Sequence, residues 1–283
     1  MHHKPSRVTR LLAPLSAALA LAVLPTVLYA TWSVIAVDTR TGRVVVASAT
    51  CVTQARLLGF PAKGLMDVQA IVIPGVGVAA AQAGVDRTRK NQMLIYREVK
   101  KGTHPEQILQ MLREDPDIER RQFGILDSQG RFSGFSGSGN RAASLAVADS
   151  VPGSGLYVSI QGNILASEAV VYDAIQAFKN EDGTITDRVM AAMEAADEAG
   201  GDSRCTCETE PVLDVPCESK NAHVAYILAA DPDDTIGESF NDGKYFMYLN
   251  VTDDNITSGE NANPVITLRM RYDRWKAEGG GER

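Results

Sequence analysis

The sequence predicts an α+β fold in which mostly antiparallel sheets lie between layers of helix. Short apolar runs cluster around Asp/Gly and Pro-Gly turns, and these clusters alternate with pairs of helical segments instead of following a strict βαβα order. Several runs are also apolar at every position, as in strands covered on both faces. A four-layer α-β-β-α sandwich with two antiparallel sheets fits such strands. Composition alone leaves other α+β arrangements open.

The 283-residue chain opens with Lys4, Arg7 and Arg10, followed from Leu11 to Leu24 by mostly Leu, Ala and Val. Pro25 and the small residue ending "LYA" complete the pattern of a secretory leader, expected to be cut after Ala30. The alternative is an uncleaved anchor, because Leu11 to Ala30 is about as long as a membrane-spanning helix; Pro14 and Pro25 interrupt it. No cysteine stands near the junction to carry a lipid. Residues 31–283 then form one domain, without a Pro- or Ser-rich linker to divide them. Cleavage removes three basic and no acidic residues, moving the formal charge from -7 to -10. An acidic chain without a basic cluster argues against nucleic acid and anionic membrane surfaces as partners. A periplasmic or secreted location follows from the leader.

Along the expected mature chain, "TWSVIAV" and "RVVVASAT" flank "DTRTG" and read as a hairpin. "VQAIVIPGVGVAAAQAG" reads as a second strand pair meeting at Pro74-Gly75. "DRTRKNQMLIYREVKKG" carries Met93, Leu94, Tyr96 and Val99 at helical spacing, with Gly102 as its stop. Thr103 is the expected N-cap of the next helix, "HPEQILQMLRED". "RQFGILDSQGRFSGFSG" returns to strands around Asp127 to Gly130, and "GLYVSIQG" adds another. A helix follows Ser167 and a second runs from Ile185 to Ala199, closed by Gly200-Gly201. "AHVAYILAA" and "KYFMYLNV" are late strands, and "PVITLRMRYDRWKA" is a terminal helix with Pro264 in its first turn.

Four cysteines, Cys51, Cys205, Cys207 and Cys217, suit two disulfides in an exported chain. Residues two apart rarely bridge, so Cys205 and Cys207 are expected to take Cys51 and Cys217 in an order that spacing does not decide. A thiolate metal site is the alternative, but C-x-C lacks a second cysteine knuckle, and the nearby His223 lies in an apolar run. No metal or cofactor is expected.

Cleavage after Ala30 would put a hydroxyl and a free α-amino group on Thr31. An α-amine titrates near 7.7 to 8.0, so near neutrality part of it is unprotonated and able to take the hydroxyl proton. Other catalytic patterns are weak. His104 precedes a proline at a helix start and His223 sits in a strand, both structural positions. "GFSGS" does not satisfy G-x-S-x-G, and "GVGVAAAQAG" lacks the glycine spacing of a dinucleotide loop. The acidic "DPDD" at 231–234 is not a twelve-residue calcium loop, and Asp38 belongs to a hairpin turn. Asn250 and Asn255 stand in Asn-x-Thr glycosylation acceptor patterns.

The succession "TWSVIAVDTRTGRVVVASAT", "GVGVAAAQAG", "QFGILDSQGRFSGFSGSGN", "SIQGNILAS" and "AGGDSR" resembles the family called domain of unknown function 1028. The match runs from Thr31 to about Arg204 and resumes at "NAHVAYILAA". That family looks like part of the N-terminal nucleophile (Ntn) hydrolase superfamily. The resemblance implies an α-β-β-α sandwich, a first-residue threonine nucleophile and hydrolysis of an amide C–N bond. The resemblance supplies a reaction class and no ligand; the exported location suggests a small amide, peptide or cell-wall-derived compound as substrate.

By the same resemblance Thr31 is nucleophile and base, and Asn163 in "QGN", with the backbone of Gly162, receives the oxyanion. Ser48 would tune proton transfer and Gln82 offers a donor and an acceptor near the threonine. Asp202 in "GGDSR" would position the ammonium and Arg204 hold a substrate carboxylate; the alternative for each of these residues is a satisfied turn or core polar group. "CTCETEPVLDVPCESK" departs from the family pattern and reads as a disulfide-stapled insertion near 205–220, next to the proposed site. A noncatalytic ligand-binding or surface-interaction protein on the same scaffold is the competing reading. A homo-oligomer is left open.

Overall fold

The structure is a computed structural model that describes residues 1–2 and 31–280; the body of the expected leader, residues 3–30, lies outside the described residues. Strand β1 (Thr31–Asp38) turns into β2 (Val44–Thr50) through a loop in which Asp38 Oδ1 accepts the Arg40 N–H at 2.9 Å, so Asp38 is a turn residue. Helices α1 (Gln54–Leu57) and α2 (Leu65–Gln69) lead to β3 (Ala70–Ile73) and β4 (Gly77–Ala83). Next come α3 (Lys90–Lys100), α4 (Pro105–Leu112), β5 (Arg121–Asp127), β6 (Phe132–Ser136), β7 (Leu145–Val151) and β8 (Leu156–Asn163). The remainder is α5 (Ala169–Asn180), α6 (Ile185–Glu198), β9 (Val224–Ala230), β10 (Met247–Val251) and α7 (Pro264–Ala277).

These strands form two antiparallel sheets, one in the order β10-β9-β2-β1-β8-β7 and one in the order β3-β4-β5-β6. Every residue of β1, β2 and β4 is buried, as the apolar runs require. Alternate residues of β1 serve different cores. Trp32, Val34 and Ala36 pack with Val171 and Phe178 of α5, Val189 and Met193 of α6, and Leu268 of α7. Ile35 and Val37 face the other sheet through Val72, Val78 and Ala80. Beyond that sheet, Ile71, Ala79 and Ile125 pack against Ile95 and Val99 of α3 and Ile108 and Leu112 of α4. Each fully buried Val, Leu, Ile, Phe or Met among them contributes about 1.5–3 kcal/mol of apolar transfer energy. No described helix is long and apolar enough to cross a membrane.

Local chemistry moves some expected boundaries. Helix α3 starts at Lys90, because the carboxylate of Asp86 accepts the N–H groups of Thr88 and Asn91 and folds "DRTR" into a turn. His104 rather than Thr103 caps α4, accepting the Glu106 N–H on Nδ1 at 3.3 Å, while the Thr103 hydroxyl donates to Glu98 Oε2 at 2.8 Å. The two cysteine bridges pair Cys51 with Cys205 and Cys207 with Cys217, the order that spacing left undecided. Both sulfurs close to His223 are therefore spent in a disulfide, which overturns the thiolate-metal alternative for this state. Asn255 Oδ1 accepts from Thr252 N and Arg271 Nη1, an internal structural role.

Candidate active site around Thr31

Thr31 opens a strand in the interior of the six-stranded sheet. Its register partners are Thr50 of β2 and Asn163 of β8, so the two sequence candidates Thr31 and Asn163 are cross-strand neighbours. Thr31 is 3% exposed. Its Oγ1 donates to Thr50 Oγ1 at 3.2 Å, and Thr50 Oγ1 also accepts the Val52 N–H at 3.2 Å. The Thr31 carbonyl accepts from Gln82 Nε2 at 3.0 Å.

Gln82 belongs to a buried amide network that stitches the two sheets together. Its Oε1 accepts from Ser33 Oγ at 2.6 Å, and Ser33 Oγ accepts from Gln161 Nε2 at 2.8 Å. Gln82 Nε2 also donates to Gln122 Oε1 at 2.7 Å, and Gln122 Nε2 donates to the Gly162 carbonyl at 2.8 Å. Each link leaves the next amide one orientation, so the first residues of β1 are held from β4, β5 and β8 together.

Ser48 is used differently. Its hydroxyl donates to the Trp32 carbonyl at 2.6 Å, a bond that pins β2 to β1 two residues before Thr50. Asp202 is fully buried and spends its carboxylate on two partners. Oδ2 accepts the Cys51 N–H at 2.9 Å, and Arg204 grips both oxygens, Nε to Oδ1 at 2.9 Å and Nη2 to Oδ2 at 2.7 Å. The Cys51–Cys205 bridge and the His223 N–H, donated to the Thr50 carbonyl at 2.8 Å, fix the same end of β2.

Two separate cavities are lined by residues at or next to that strand end, one including Thr50 and the other Cys51. The one over Thr31 and Thr50 encloses about 290 Å³ with its mouth included, and it is walled by apolar side chains of residues 52–68 and Val85, with Gln69 and Gln82 as further polar members. The other, of about 680 Å³, opens to solvent beside Cys51, Arg56, Arg204, Glu210 and His223. Burial and the positive charges of Lys220 and Arg204 push His223 down to about 4, so its imidazole is neutral at physiological pH.

Sequence reasoning missed Thr50, Ser33, Gln122 and Gln161. For Ser33, Gln161 and Gln122 the available signal was a polar residue within a strand-like run, in "TWSVIAV", "YVSIQGN" and "RQFGIL", and for Thr50 it was the polar end of "RVVVASAT".

A crystal structure of protein SPO2555 from Silicibacter pomeroyi, a DUF1028 protein, is similar with a TM-score of 0.60 and 20% identity, covering 87% of this chain and 89% of that one. Likeness at that identity is one of fold. No curated protein matches. The family of unknown function DUF1028 matches residues 31–209, well over half of the sequence, and the chain belongs to that family.

Proposed function

We propose that this protein is an exported amidohydrolase of the Ntn type, with Thr31 as its first residue after leader cleavage. One observation carries the reading. Thr31 begins both the family match and an interior strand, and its hydroxyl forms the floor of a pocket beside a second threonine. The succession of helices α5 and α6, two sheets, and helices α3 and α4 supports the α-β-β-α sandwich that such enzymes share. Two disulfides suit an oxidising compartment such as the periplasm or the cell exterior.

In this mechanism the freed α-amine takes the Oγ1 proton as Oγ1 bonds to the carbonyl carbon of the amide. Asn163 and the Gly162–Asn163 backbone receive the oxyanion, where one fixed donor is worth about two to three orders of magnitude in rate. The C–N bond then breaks, the α-ammonium returns its proton to the leaving amine, and water hydrolyses the Thr31 ester to a carboxylic acid. Thr50 holds the hydroxyl rotamer and Gln82 the Thr31 backbone. Ser48 and Asp202 are positioning residues that hold β2. The flank of Arg204 on the open cavity is where a substrate carboxylate would meet it.

Intact mass and N-terminal sequencing of secreted protein test the first step, and a start at any residue other than Thr31 sinks the mechanism. An amide-reactive acylating probe should then label Thr31 and fail on folded Thr31→Ala. Labelling unchanged in that variant favours a noncatalytic binding protein on the same scaffold.

A further inference from the structure

The cavity over Thr31 carries a statement about substrate class, and it rests on the reading of Thr31 as nucleophile. Its wall is made by Val52, Leu57, Phe60, Leu65, Val68 and Val85, and no charged side chain lines it. The cations of the neighbouring segment have other contacts. The Arg87 guanidinium lies over the Phe60 ring, 4.8 Å from its centroid, and Arg89 donates to the carbonyls of Pro61, Asp67 and Val68. At the floor stand Thr31 and Thr50, with Gln82 tied to the Thr31 carbonyl and Gln69 Nε2 donating to the Tyr226 hydroxyl at 3.1 Å.

We infer that the enzyme selects amides whose acyl portion carries a neutral, branched aliphatic or aromatic group next to the scissile carbonyl. One consideration assigns the pocket to the acyl side. The acyl carbon becomes bonded to Thr31 Oγ1, so the group beside it stays over the threonine through both halves of the reaction, whereas the amine departs. The wall that an occupant meets is carried largely by α1 and α2, helices of only four and five residues. A carboxylate or ammonium in the same place loses its hydration without a partner, whereas a leucine side chain gains by leaving water.

The test uses mature protein that begins at Thr31 and a set of peptidyl epoxyketones, which react with the hydroxyl and α-amine of an N-terminal threonine. The members differ only in the side chain beside the ketone: leucine, phenylalanine, alanine, aspartate or lysine. Labelling rates should favour leucine or phenylalanine over aspartate and lysine by on the order of 10- to 100-fold. Val85 is only partly buried, so Val85→Asp can fold, and it should reverse the order of leucine and lysine. Equal rates across the set, or a preference for a charged member, overturn the inference while Thr31 labelling by the alanine probe keeps the nucleophile. No labelling of Thr31 by any member removes the nucleophile and the inference with it.

Discussion

Gln82 reaches across from the four-stranded sheet to the carbonyl of Thr31 in the six-stranded sheet, donating from Nε2 at 3.0 Å. The same amide satisfies Ser33 and Gln122. Gln82→Met keeps the volume and removes all three bonds, leaving a carbonyl, a hydroxyl and an amide oxygen buried without their partner. The expected cost is about 2–4 kcal/mol. Urea denaturation should show the loss, and epoxyketone labelling of Thr31 should slow even under conditions where the variant stays folded. Unchanged labelling would remove Gln82 from the positioning of Thr31.

Gly124 of β5 leaves space for Gln161 of β8. A Cβ at residue 124 would stand 2.2 Å from Gln161 Oε1 and 2.8 Å from its Cδ, so Gly124→Ala must push that side chain off Ser33. The expected destabilisation is about 1–3 kcal/mol. The double variant Gly124→Ala, Gln161→Ala has no such clash and should lose less than the two single effects summed, which a double-mutant cycle reads directly. Additive losses would show that Gly124 serves something other than this contact.

Much of the fold was legible because apolar periodicity and turn chemistry agree locally. "RVVVASAT" and "VAYILAA" became buried strands, and Thr184 with Asp187 forms a capping box at the start of α6. Strand β7 was not legible, since "LAVADSV" carries Asp149 and Ser150 on a half-exposed edge and has no continuous apolar run. Helices α1 and α2 span too few residues to show a period. The sequence named Thr31, Asn163, Gln82 and Asp202, and the register brings the first two side by side. It did not reveal that Asp202 accepts from Cys51, because that partner is set by pairing across 151 residues, nor that Arg204, two residues on, turns its guanidinium back onto the same carboxylate. Thr50 and Ser33 escaped for the same reason.

The two disulfides should differ in their contribution. Cys51–Cys205 joins residues 154 apart in the chain and Cys207–Cys217 residues 10 apart. Loop-closure entropy assigns them about 5 and about 3 kcal/mol respectively, as upper values. Paired Cys→Ala variants should therefore rank in that order by urea midpoint. The longer bridge also borders Thr50, so its removal should slow Thr31 labelling, whereas removal of the shorter one should leave that rate within about twofold. The reverse ranking in labelling would move the insertion, not the end of β2, into the site.

Asp197 and His223 set opposing pH slopes. Asp197, at the end of α6, is pushed up to about 6 by burial, which outweighs the hydrogen bonds from Asn263 and Asn221. Between pH 4 and 6 the folded carboxyl holds a proton that the unfolded chain has released, so this residue makes stability fall as pH rises through that window, by at most about 3 kcal/mol. His223 is pushed down to about 4, first by burial and then by Lys220 and Arg204. The unfolded chain protonates it below about 6.5 while the folded protein keeps it neutral, so its contribution is lost as pH falls from 6.5 to 4. The two trends oppose each other in the native protein. Asp197→Asn should uncover a stability that climbs from pH 4 to 6.5, and His223→Gln one that declines from pH 4 to 6. Urea midpoints at pH 4.5 and 6.5 for the three proteins decide it, and parallel shifts in all three would show that neither group is coupled to folding.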